Sequence, residues 1–309
     1  MKFLYYYIRS MRLYYGFVTG AATLAGVFPA VYSRGNGWTW RVFPVIAVGF
    51  LAWGINQIIN DYSDREEDRI NAPHRPMVSG KLAPHPAWLL SCLLMFCFAV
   101  ISCFLTVWTL LPIGLGFLFN LLYAHTKGIP LLGNVVYGVS LSMCTLYGYL
   151  GASGGVRDFR NITSILTLCG FLALSHFLMC LYSTLKDVEG DRAAGKKTLS
   201  VMIGNRKTQR IAGIFAALLL GLYFIPAFMI WGDPGYFIIA WGWCVILAAW
   251  NALMFASGEI HRSTKSNCQS CAAQQLLVLS LYSSAGLVVM LFSWLAVELL
   301  FRWYPDEKE

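Results

Sequence analysis

The feature that most constrains the fold of this chain is a series of apolar segments, several of them long enough to cross a lipid bilayer. A membrane-spanning helix needs about 20 mostly apolar residues. The chain has 309 residues, 58% of them hydrophobic, and a mean hydropathy of +0.60, which is too apolar for an ordinary soluble domain. We therefore predict an all-α polytopic membrane protein with one transmembrane domain over residues 1–309. About nine spans are expected, at Leu13–Ser33, Trp40–Asn60, Pro86–Trp108, Leu110–Ala124, Ile129–Gly151, Ile162–Leu185, Thr208–Trp231, Tyr236–Ala256 and Ala273–Phe301.

The basic residues predict the orientation of these spans. With the amino terminus inside, 17 of the 23 Lys and Arg residues fall on the inner side, as expected for cytoplasmic loops. Nine spans then place the two termini on opposite sides of the membrane. The net charge of +8 is explained by this bias, so no nucleic-acid partner is inferred. The remaining Lys and Arg residues are predicted outside: Arg34, Arg41, Arg157, Arg160, Arg302 and Lys308.

Two short stretches hold most of the negative charge. The first, NQIINDYSDREEDRINAPHRPMVSGK, runs from Asn56 to Lys81 and begins where an apolar span ends. Asn60, Asp64 and Asp68 are spaced by four residues, so on a helix they form one stripe with Asp61 beside it. Carboxylates at this spacing repel unless a cation lies between them. Hard oxygen ligands on one face suit Mg²⁺, which leaves coordination sites open for substrate phosphate oxygens.

The second acidic stretch, KDVEGDRAAGKKT, runs from Lys186 to Thr198. Asp187 and Asp191 are again four residues apart and are surrounded by basic residues. The two stretches together contain eight of the 15 acidic residues of the chain. Such a concentration in a protein with few charges indicates a second group of metal ligands. Glu66 and Glu67 point away from the stripe and are expected in solvent, and Glu189 is assigned no role.

Three segments resemble motifs of the UbiA superfamily of intramembrane prenyltransferases. NDYSDREEDRINAPHRP resembles its first aspartate-rich motif, and KDVEGDRAAGKKTL resembles its second. YAHTKGIPLLGNVVYG, residues 123–138, resembles the lysine-bearing segment between them, and the Arg12 region resembles the opening of the first helix. The motifs occur in the family's order over most of the chain. One departure is Thr184, where some branches carry a further aspartate.

The resemblance implies a fold and a reaction. We expect the helices to surround a central cavity, capped by cytoplasmic motif loops at about residues 60–85 and 186–207. The implied activity is Mg²⁺-dependent transfer of a prenyl group from a polyprenyl diphosphate to a lipophilic, often aromatic, acceptor, with release of pyrophosphate. Two metal clusters would stabilise the charge that develops on the leaving group. The predicted metal ligands are Asn60, Asp61, Asp64, Asp68, Asp187 and Asp191.

Basic and aromatic residues are predicted to complete the site. Arg75 lies beside Pro76 in the first motif and is expected to hold the diphosphate. Lys127, a lone charge between two spans, where a charge is costly and usually functional, either joins it or is an ordinary inside-facing anchor. Arg12 and Lys186 either join this clamp or extend to the membrane interface. Tyr123 either faces the allylic cation or lies at the interface. With Asn60 as a further substrate-binding residue, the residues expected to act in catalysis are Asp64, Asp191, Arg75, Lys127 and Tyr123.

Several polar residues have simpler interpretations. The stretch Ser257–Cys271 reads as a cytoplasmic connector, in which Cys268 and Cys271 form either an incidental pair or a metal or redox pair. His176 is expected to make a hydrogen bond between helices, and Asn134 is either a packing or a site residue. Glu298 lies four residues before Arg302, which predicts an ion pair along one helix.

Two alternative functions remain open. A terpene cyclase of the same fold would keep both motifs but act on the diphosphate alone. A Mg²⁺-coupled transporter would be a different class of protein and would place its carboxylates deep within the spans. The leading interpretation implies a bacterial or archaeal plasma membrane, with the amino terminus and both acidic motifs in the cytoplasm.

Overall fold

The computed structural model describes residues 2–32, 37–155, 159–229 and 234–304, and every regular element in these ranges is helical. The all-α prediction is therefore confirmed. The predicted span ends Ser33 and Trp231 lie outside these ranges. The α-helices are α1 (Lys2–Ser10), α2 (Gly16–Tyr32), α3 (Val42–Ser63), α4 (Arg65–Asn71), α5 (Pro84–Leu105), α6 (Leu110–Thr126), α7 (Leu132–Ser153), α8 (Phe159–Ser183), α9 (Val188–Ala193), α10 (Leu199–Ile203), α11 (Asn205–Leu222), α12 (Phe224–Met229), α13 (Pro234–Ser257), α14 (Ile260–Leu276) and α15 (Ala285–Arg302). Short 3₁₀ helices cover Leu13–Tyr15, Val107–Thr109 and Leu277–Leu281.

Eight helical segments of the described chain are long and apolar enough to cross a membrane. Seven of them coincide with predicted spans to within a few residues, and the eighth, Ala285–Arg302, covers only the second part of the predicted ninth span. The ends follow local signals: Pro84 begins α5 at a position where a missing N–H costs nothing, and Gly154 ends α7 with φ of 74°. The segments are Leu13–Tyr32, Val42–Ser63, Pro84–Leu105, Val107–Thr126, Leu132–Ser153, Ile162–Ser183, Gly235–Ser257 and Ala285–Arg302.

Two further passages through the bundle are less apolar, so the predicted count of nine is approximate. The predicted seventh span is divided into α11 and α12 at Tyr223. The predicted ninth span, Ala273–Phe301, joins parts of two antiparallel passages and is wrong in its bounds. The first of these passages is α14 with the 3₁₀ helix that follows it, and the second is α15, after a turn at residues 282–284.

The two ends of the described chain lie on the same side of the bundle. The backbone N–H of Leu13 donates to the hydroxyl of Tyr304 over 3.2 Å. At the opposite side, the ring of Tyr282 lies 6.1 Å from that of Tyr32. The prediction that the start of the first span and the end of the ninth lie on opposite sides was therefore wrong for the described residues, because the merged ninth span hid one passage.

The predicted connector Ser257–Cys271 is also corrected by the structure. Most of it belongs to α14, which packs against α2, α8, α13 and α15. Most of its polar side chains are buried, and several find partners on neighbouring helices: Ser266 donates to Asn251 over 2.8 Å, and Asn267 donates to the carbonyl oxygen of Met179 over 2.9 Å. A polar helix can occupy the interior of a membrane protein when its groups bond within the protein.

Glycines bring two of the central helices into close contact. A Cβ atom placed at Gly26 of α2 would overlap the carbonyl oxygen of Thr145 of α7, and one at Gly148 would overlap that of Thr23. Small residues allow helix backbones to approach closely where no hydrophobic effect drives association. The contact between α2 and α7 forms one wall of a cavity of about 290 Å³, whose other walls are α3, α5 and α6.

Candidate functional site

The first acidic motif continues beyond the end of α3. Helix α3 ends at Ser63, and Asp64 forms the junction with α4 at φ −88° and ψ 9°. The backbone N–H of Asp64 still donates to Asn60 O, and that of Asp68 to Asp64 O, over 2.8 and 2.9 Å. The predicted spacing by four residues is therefore kept through the junction.

The carboxylates of this motif nevertheless have different partners. Arg75 lies between Asp61 and Asp68: it pairs closely with Asp68, and its Nη1 atom is 3.6 Å from Asp61 Oδ1. Arg12 donates to both oxygens of Asp61, over 3.0 and 3.1 Å. Gln57 donates to the same carboxylate over 2.8 Å. Arginine thus provides the positive charge that two neighbouring carboxylates require, and Arg12 faces this site rather than the interface.

Burial raises the pKa of the Asp68 carboxyl above its ordinary value. The positive charge of Arg75 opposes this change, and the negative charge of Asp61 adds to it. Asp68 therefore depends on the guanidinium beside it to stay ionised.

Asp64 faces a different helix. Its Oδ1 atom accepts a hydrogen bond from the Nζ atom of Lys127 over 2.8 Å. Lys127 immediately follows α6, so this ion pair joins the end of α3 to the end of α6. The side chain of Asp64 is 40% exposed, against 4% for Asp61, and is thus the more accessible carboxylate.

The second acidic stretch lies beside the first. Asp187 begins the short helix α9, which packs against α4 and contains the buried Asp191. The Nζ atom of Lys196 is 3.9 Å from Asp191 Oδ1. The backbone N–H of Lys197 donates to Gly128 O over 2.9 Å, which ties this loop to the residue after Lys127.

The pKa of Asp191 is raised, first by burial and then by the negative charge of Asp187. Lys196 and Lys127 act in the opposite direction. These electrostatic interactions place both acidic stretches and Lys127 in one region. Lys186 is turned elsewhere, since its Nζ atom donates to Thr264 of α14 over 3.4 Å.

The six predicted metal ligands do not form one cluster here. Among the residues that the structure describes, no three Asp, Glu, His or Cys side chains are arranged to hold a metal ion. Glu66 pairs with Arg69 at the exposed surface, as expected for a solvated residue, and the side chain of Glu67 lies outside the described part. The metal assignment stays a prediction.

The central cavity reaches this charged region from within the membrane. Asn60 and Tyr123 line the cavity; Asn60 directly precedes Asp61, and Tyr123 lies four residues before Lys127. No charged side chain lines the cavity in the described chain; its other lining residues are Thr19, Thr23, Val48, Gly49, Ala52, Trp53, Asn56, Met95, Phe98, Ala99, Pro112, Ile113, Gly116, Phe117, Asn120, Tyr137, Ser140, Leu141, Met143, Cys144 and Tyr147.

Several of these residues were missed by the sequence analysis. Asn120 donates to Asn56 over 3.5 Å in the cavity wall, and the ring of Tyr137 lies 5.3 Å from that of Tyr123. Polar residues within apolar spans are an available signal for Asn56 and Asn120. Gln57, which contacts Asp61 and does not line the cavity, was also missed. Its signal in the sequence is its position one helical turn before Asp61.

Residues with simpler predicted roles are now placed. His176 is fully buried on α8, where its Nδ1 atom is 3.4 Å from Gln275 Nε2 of α14, so the predicted contact between helices is confirmed. Cys268 and Cys271 form no disulfide and are buried within α14 rather than in a loop. Asn134 is buried near the start of α7.

Comparisons with known proteins support one family. A sequence model of the UbiA prenyltransferase family matches residues 19–278. Digeranylgeranylglyceryl phosphate synthase from Methanopyrus kandleri is 36% identical over 187 residues, which are 59% of this chain and 65% of the relative. The synthase of the same name from Thermococcus kodakarensis is 32% identical over 183 residues, 59% of this chain and 64% of the relative. The chain thus spans somewhat less than two thirds of these curated relatives.

A solved structure shows the same fold. A UbiA homologue from Archaeoglobus fulgidus, bound to DMAPP and Mg²⁺, superposes with a TM-score of 0.64. The alignment covers 92% of this chain and 98% of the homologue, at 15% sequence identity. At this identity the likeness supports the arrangement of helices.

Proposed function

This chain belongs to the UbiA prenyltransferase family, and on that premise we propose that it transfers a prenyl group from an isoprenyl diphosphate to a lipophilic acceptor within the membrane. The observation that carries the proposal is the junction between the charged region and the cavity. Asp64, Lys127 and Arg75 lie at one end of the bundle, and Asn60 and Tyr123 begin an uncharged cavity beside them. An isoprenyl diphosphate matches this arrangement, because its diphosphate end is charged and its tail is uncharged and apolar.

The donor set of the charged region fits Mg²⁺. Carboxylate and amide oxygens are the hard ligands that this ion prefers, and it commonly uses only one or two protein carboxylates together with phosphate oxygens. A cluster of three is therefore not required. The residues that would hold Mg²⁺ remain Asn60, Asp61, Asp64, Asp68, Asp187 and Asp191, and the accessibility of Asp64 favours it. Bound Mg²⁺ would neutralise the charge that develops on the departing pyrophosphate.

The protein groups have separate tasks in the proposed reaction. The carbon–oxygen bond of the allylic diphosphate breaks, and both electrons leave with pyrophosphate. Arg75 and Lys127 hold the oxygens that gain charge, which is the effect that lowers the barrier. Tyr123 presents an aromatic ring at the start of the cavity, where it stabilises positive charge on the allylic carbon. The acceptor forms the new bond to that carbon and loses a proton.

The acceptor is the less constrained substrate. Relatives named digeranylgeranylglyceryl phosphate synthase make a glycerophosphate lipid the first acceptor to test. An aromatic acceptor, as the sequence motifs suggested, is the second. The cavity walls offer hydrogen bonds from Asn56, Asn120 and Ser140 but no charge, so a phosphate on the acceptor would remain near the basic residues at the end of the bundle.

The protein is an integral membrane protein, given its family and eight apolar helices in the described chain. We assign the acidic motifs and the amino-terminal segment to the cytoplasmic side of a bacterial or archaeal plasma membrane. The excess of Lys and Arg on that side supports this orientation. Because Tyr304 lies beside Leu13, Arg302 joins the basic side as well.

Two other functions make different predictions. A terpene cyclase would release a product from the diphosphate without an acceptor. A transporter would need its carboxylates within the permeation path, whereas Asp64, Asp187 and Asp191 lie beyond the ends of the long apolar helices α3 and α8.

The test uses purified protein with radiolabelled C10, C15 and C20 diphosphates. Each donor is supplied with a glycerophosphate lipid, with an aromatic acceptor or with no acceptor, in Mg²⁺ and after chelation with EDTA. Labelled lipid that depends on both acceptor and Mg²⁺ supports the proposal. Product without acceptor indicates the cyclase, and activity unaffected by EDTA contradicts the metal assignment.

A further inference from the structure

We propose that Tyr304, just after α15, is a positioning residue that holds Arg12 against Asp61 in the diphosphate end of the site. This inference rests on the proposed function, because Arg12 matters to catalysis only if Asp61 belongs to the active site. The match to the family model ends at residue 278, so α15 and Tyr304 lie outside the matched region.

The backbone of Arg12 has an unusual conformation. Its φ of 47° and ψ of 62° are in the left-handed region, and Leu131 is the one other non-glycine residue with positive φ in the described chain. This conformation is unfavourable for a residue with a side chain and persists only where the surroundings hold it. It separates α1 from the 3₁₀ helix Leu13–Tyr15 and directs the Arg12 guanidinium to Asp61.

The hydroxyl of Tyr304 provides one such restraint. It accepts the backbone N–H of Leu13 over 3.2 Å, at the residue that follows Arg12. The first N–H groups of a helix have no partner within the helix itself. A side-chain acceptor at this point therefore stabilises both the start of the 3₁₀ helix and the backbone direction that leaves Arg12.

Tyr304 is in turn fixed by its neighbours. It is 3% exposed, and its ring makes an edge contact with Tyr14 at 5.1 Å. Phe301 lies 4.0 Å from Tyr14 by ring centroids. One helical turn earlier, Glu298 accepts from Lys265 of α14 over 2.9–3.0 Å. Tyr304 therefore links the position of α15 to the backbone conformation of Arg12 and Leu13.

The Arg12 side chain completes this connection. It is 12% exposed, and one of its nitrogens donates to both oxygens of Asp61. Asp61 also lies 3.6 Å from Arg75, which we assign to the diphosphate. A shift of Arg12 would change the charge balance around Asp61 and, through it, the position of Arg75.

The test is a double-mutant cycle with Tyr304→Phe, Arg12→Gln and the combined variant. Tyr304→Phe removes the hydroxyl and keeps the ring. We expect it to raise KM for the isoprenyl diphosphate about fivefold, roughly the loss of one hydrogen bond, with a smaller change in kcat. In the Arg12→Gln background the same substitution should have no further effect, because residues that act through each other are not additive.

Hydrogen exchange gives a readout that does not depend on activity. Exchange of the Leu13 amide should be faster in Tyr304→Phe, while Arg302→Gln, a change at an exposed residue at the end of α15, should match the wild type in exchange and kinetics. Unchanged exchange at Leu13, or an additive cycle, would overturn the inference. If the wild type transfers no prenyl group, the proposed function fails, and with it the role of Tyr304 in that function. Faster exchange would then still confirm the contact.

Discussion

Two polar stretches of this chain lie in opposite places in the fold, one at the end of the bundle and one inside it. Residues 60–81 begin in the last turn of α3 and form a charged region at the end of the bundle, where Asp64 is 40% exposed. Residues 257–271 were expected at the same surface, yet most of them form the buried part of α14. The first stretch contains five acidic residues, whereas the second is rich in Ser, Thr, Asn and Gln. Neutral polar groups can be satisfied by hydrogen bonds inside a membrane protein, while a group of carboxylates needs cations or water.

We therefore expect substitutions in the first stretch to change catalysis and those in the second to change stability. The largest effect on kcat/KM should come from substitutions in the acidic motifs. Asp64→Ala and Asp191→Ala should each lower kcat/KM about 100- to 1000-fold, because each removes an interaction that strengthens as charge develops. Thermal stability in detergent should change little for Asp64, which is partly exposed. Steady-state rates of labelled prenyl transfer measure the effect.

Glu66→Gln is the matched control for this prediction. Glu66 belongs to the same acidic run but pairs with Arg69, and both side chains are largely exposed. Its activity should equal that of the wild type. Near-normal turnover of Asp64→Ala would remove the first motif from the active site, and equal losses in all three variants would point to a general effect of charge.

Arg75→Ala should have the next largest effect and should test how the two ends of the donor are bound. Loss of a charged hydrogen-bond donor predicts a rise in KM of about tenfold or more for C10, C15 and C20 diphosphates alike. Longer tails should lower KM in both the wild type and the variant, because each buried CH₂ contributes about 0.8 kcal/mol. That energy is largely uniform binding, so kcat should depend less on length.

A KM series over the three donors measures both effects, with Arg69→Gln as a control at an exposed arginine. A defect of Arg75→Ala confined to one tail length would argue against its diphosphate role. A wild-type KM that does not vary with length would instead exclude the apolar cavity as the tail site.

In the second stretch, Asn267→Leu should change stability rather than chemistry. Asn267 donates to the carbonyl oxygen of Met179 and receives a hydrogen bond from Asn251, all within the buried core. Leaving such partners unsatisfied costs about 1–3 kcal/mol, so the melting temperature should fall. Activity per folded molecule should be retained. A melting curve in detergent, paired with the transfer assay, separates the two quantities.

Asn205→Leu offers the same substitution at an exposed residue, whose amide donates to Leu185 O. It should cost much less stability than Asn267→Leu. If Asn267→Leu instead lowered kcat at full stability, α14 would belong to the active site, and the contrast between the two stretches would be lost.

The smallest effect is expected at the join between α14 and α15. The sequence suggested that Glu298 pairs with Arg302, but in the structure Glu298 binds Lys265 and Gln269. Lys265→Gln should destabilise the protein by about 0.5–1 kcal/mol, as for a partly exposed pair. Arg302→Gln should have no effect. If Arg302→Gln lowered the melting temperature more than Lys265→Gln, the predicted pair between Glu298 and Arg302 would be supported instead.

Sequence alone predicted much of this protein because two of its signals are local. Apolar length located seven passages to within a few residues, since a segment that must cross a bilayer has to be long and apolar whatever its neighbours are. The spacing of Asn60, Asp64 and Asp68 survived the junction between α3 and α4 because backbone hydrogen bonds continue through it. The motifs also indicated the family, which the match to residues 19–278 confirms.

Tertiary structure decided what depends on partners far away in the chain. Hydropathy placed α14 in a loop because it counts Asn267 and Ser266 as polar without the partners, Met179 and Asn251, that satisfy them inside the bundle. That error hid one passage and reversed the side on which Tyr304 lies. Likewise, the spacing of the aspartates was visible in the sequence, but the basic residue with which each carboxylate pairs was not. Long-range pairing with Arg12 and Lys127 selects which carboxylates are neutralised and which remain open, because the energy of a buried charge depends on the charge beside it.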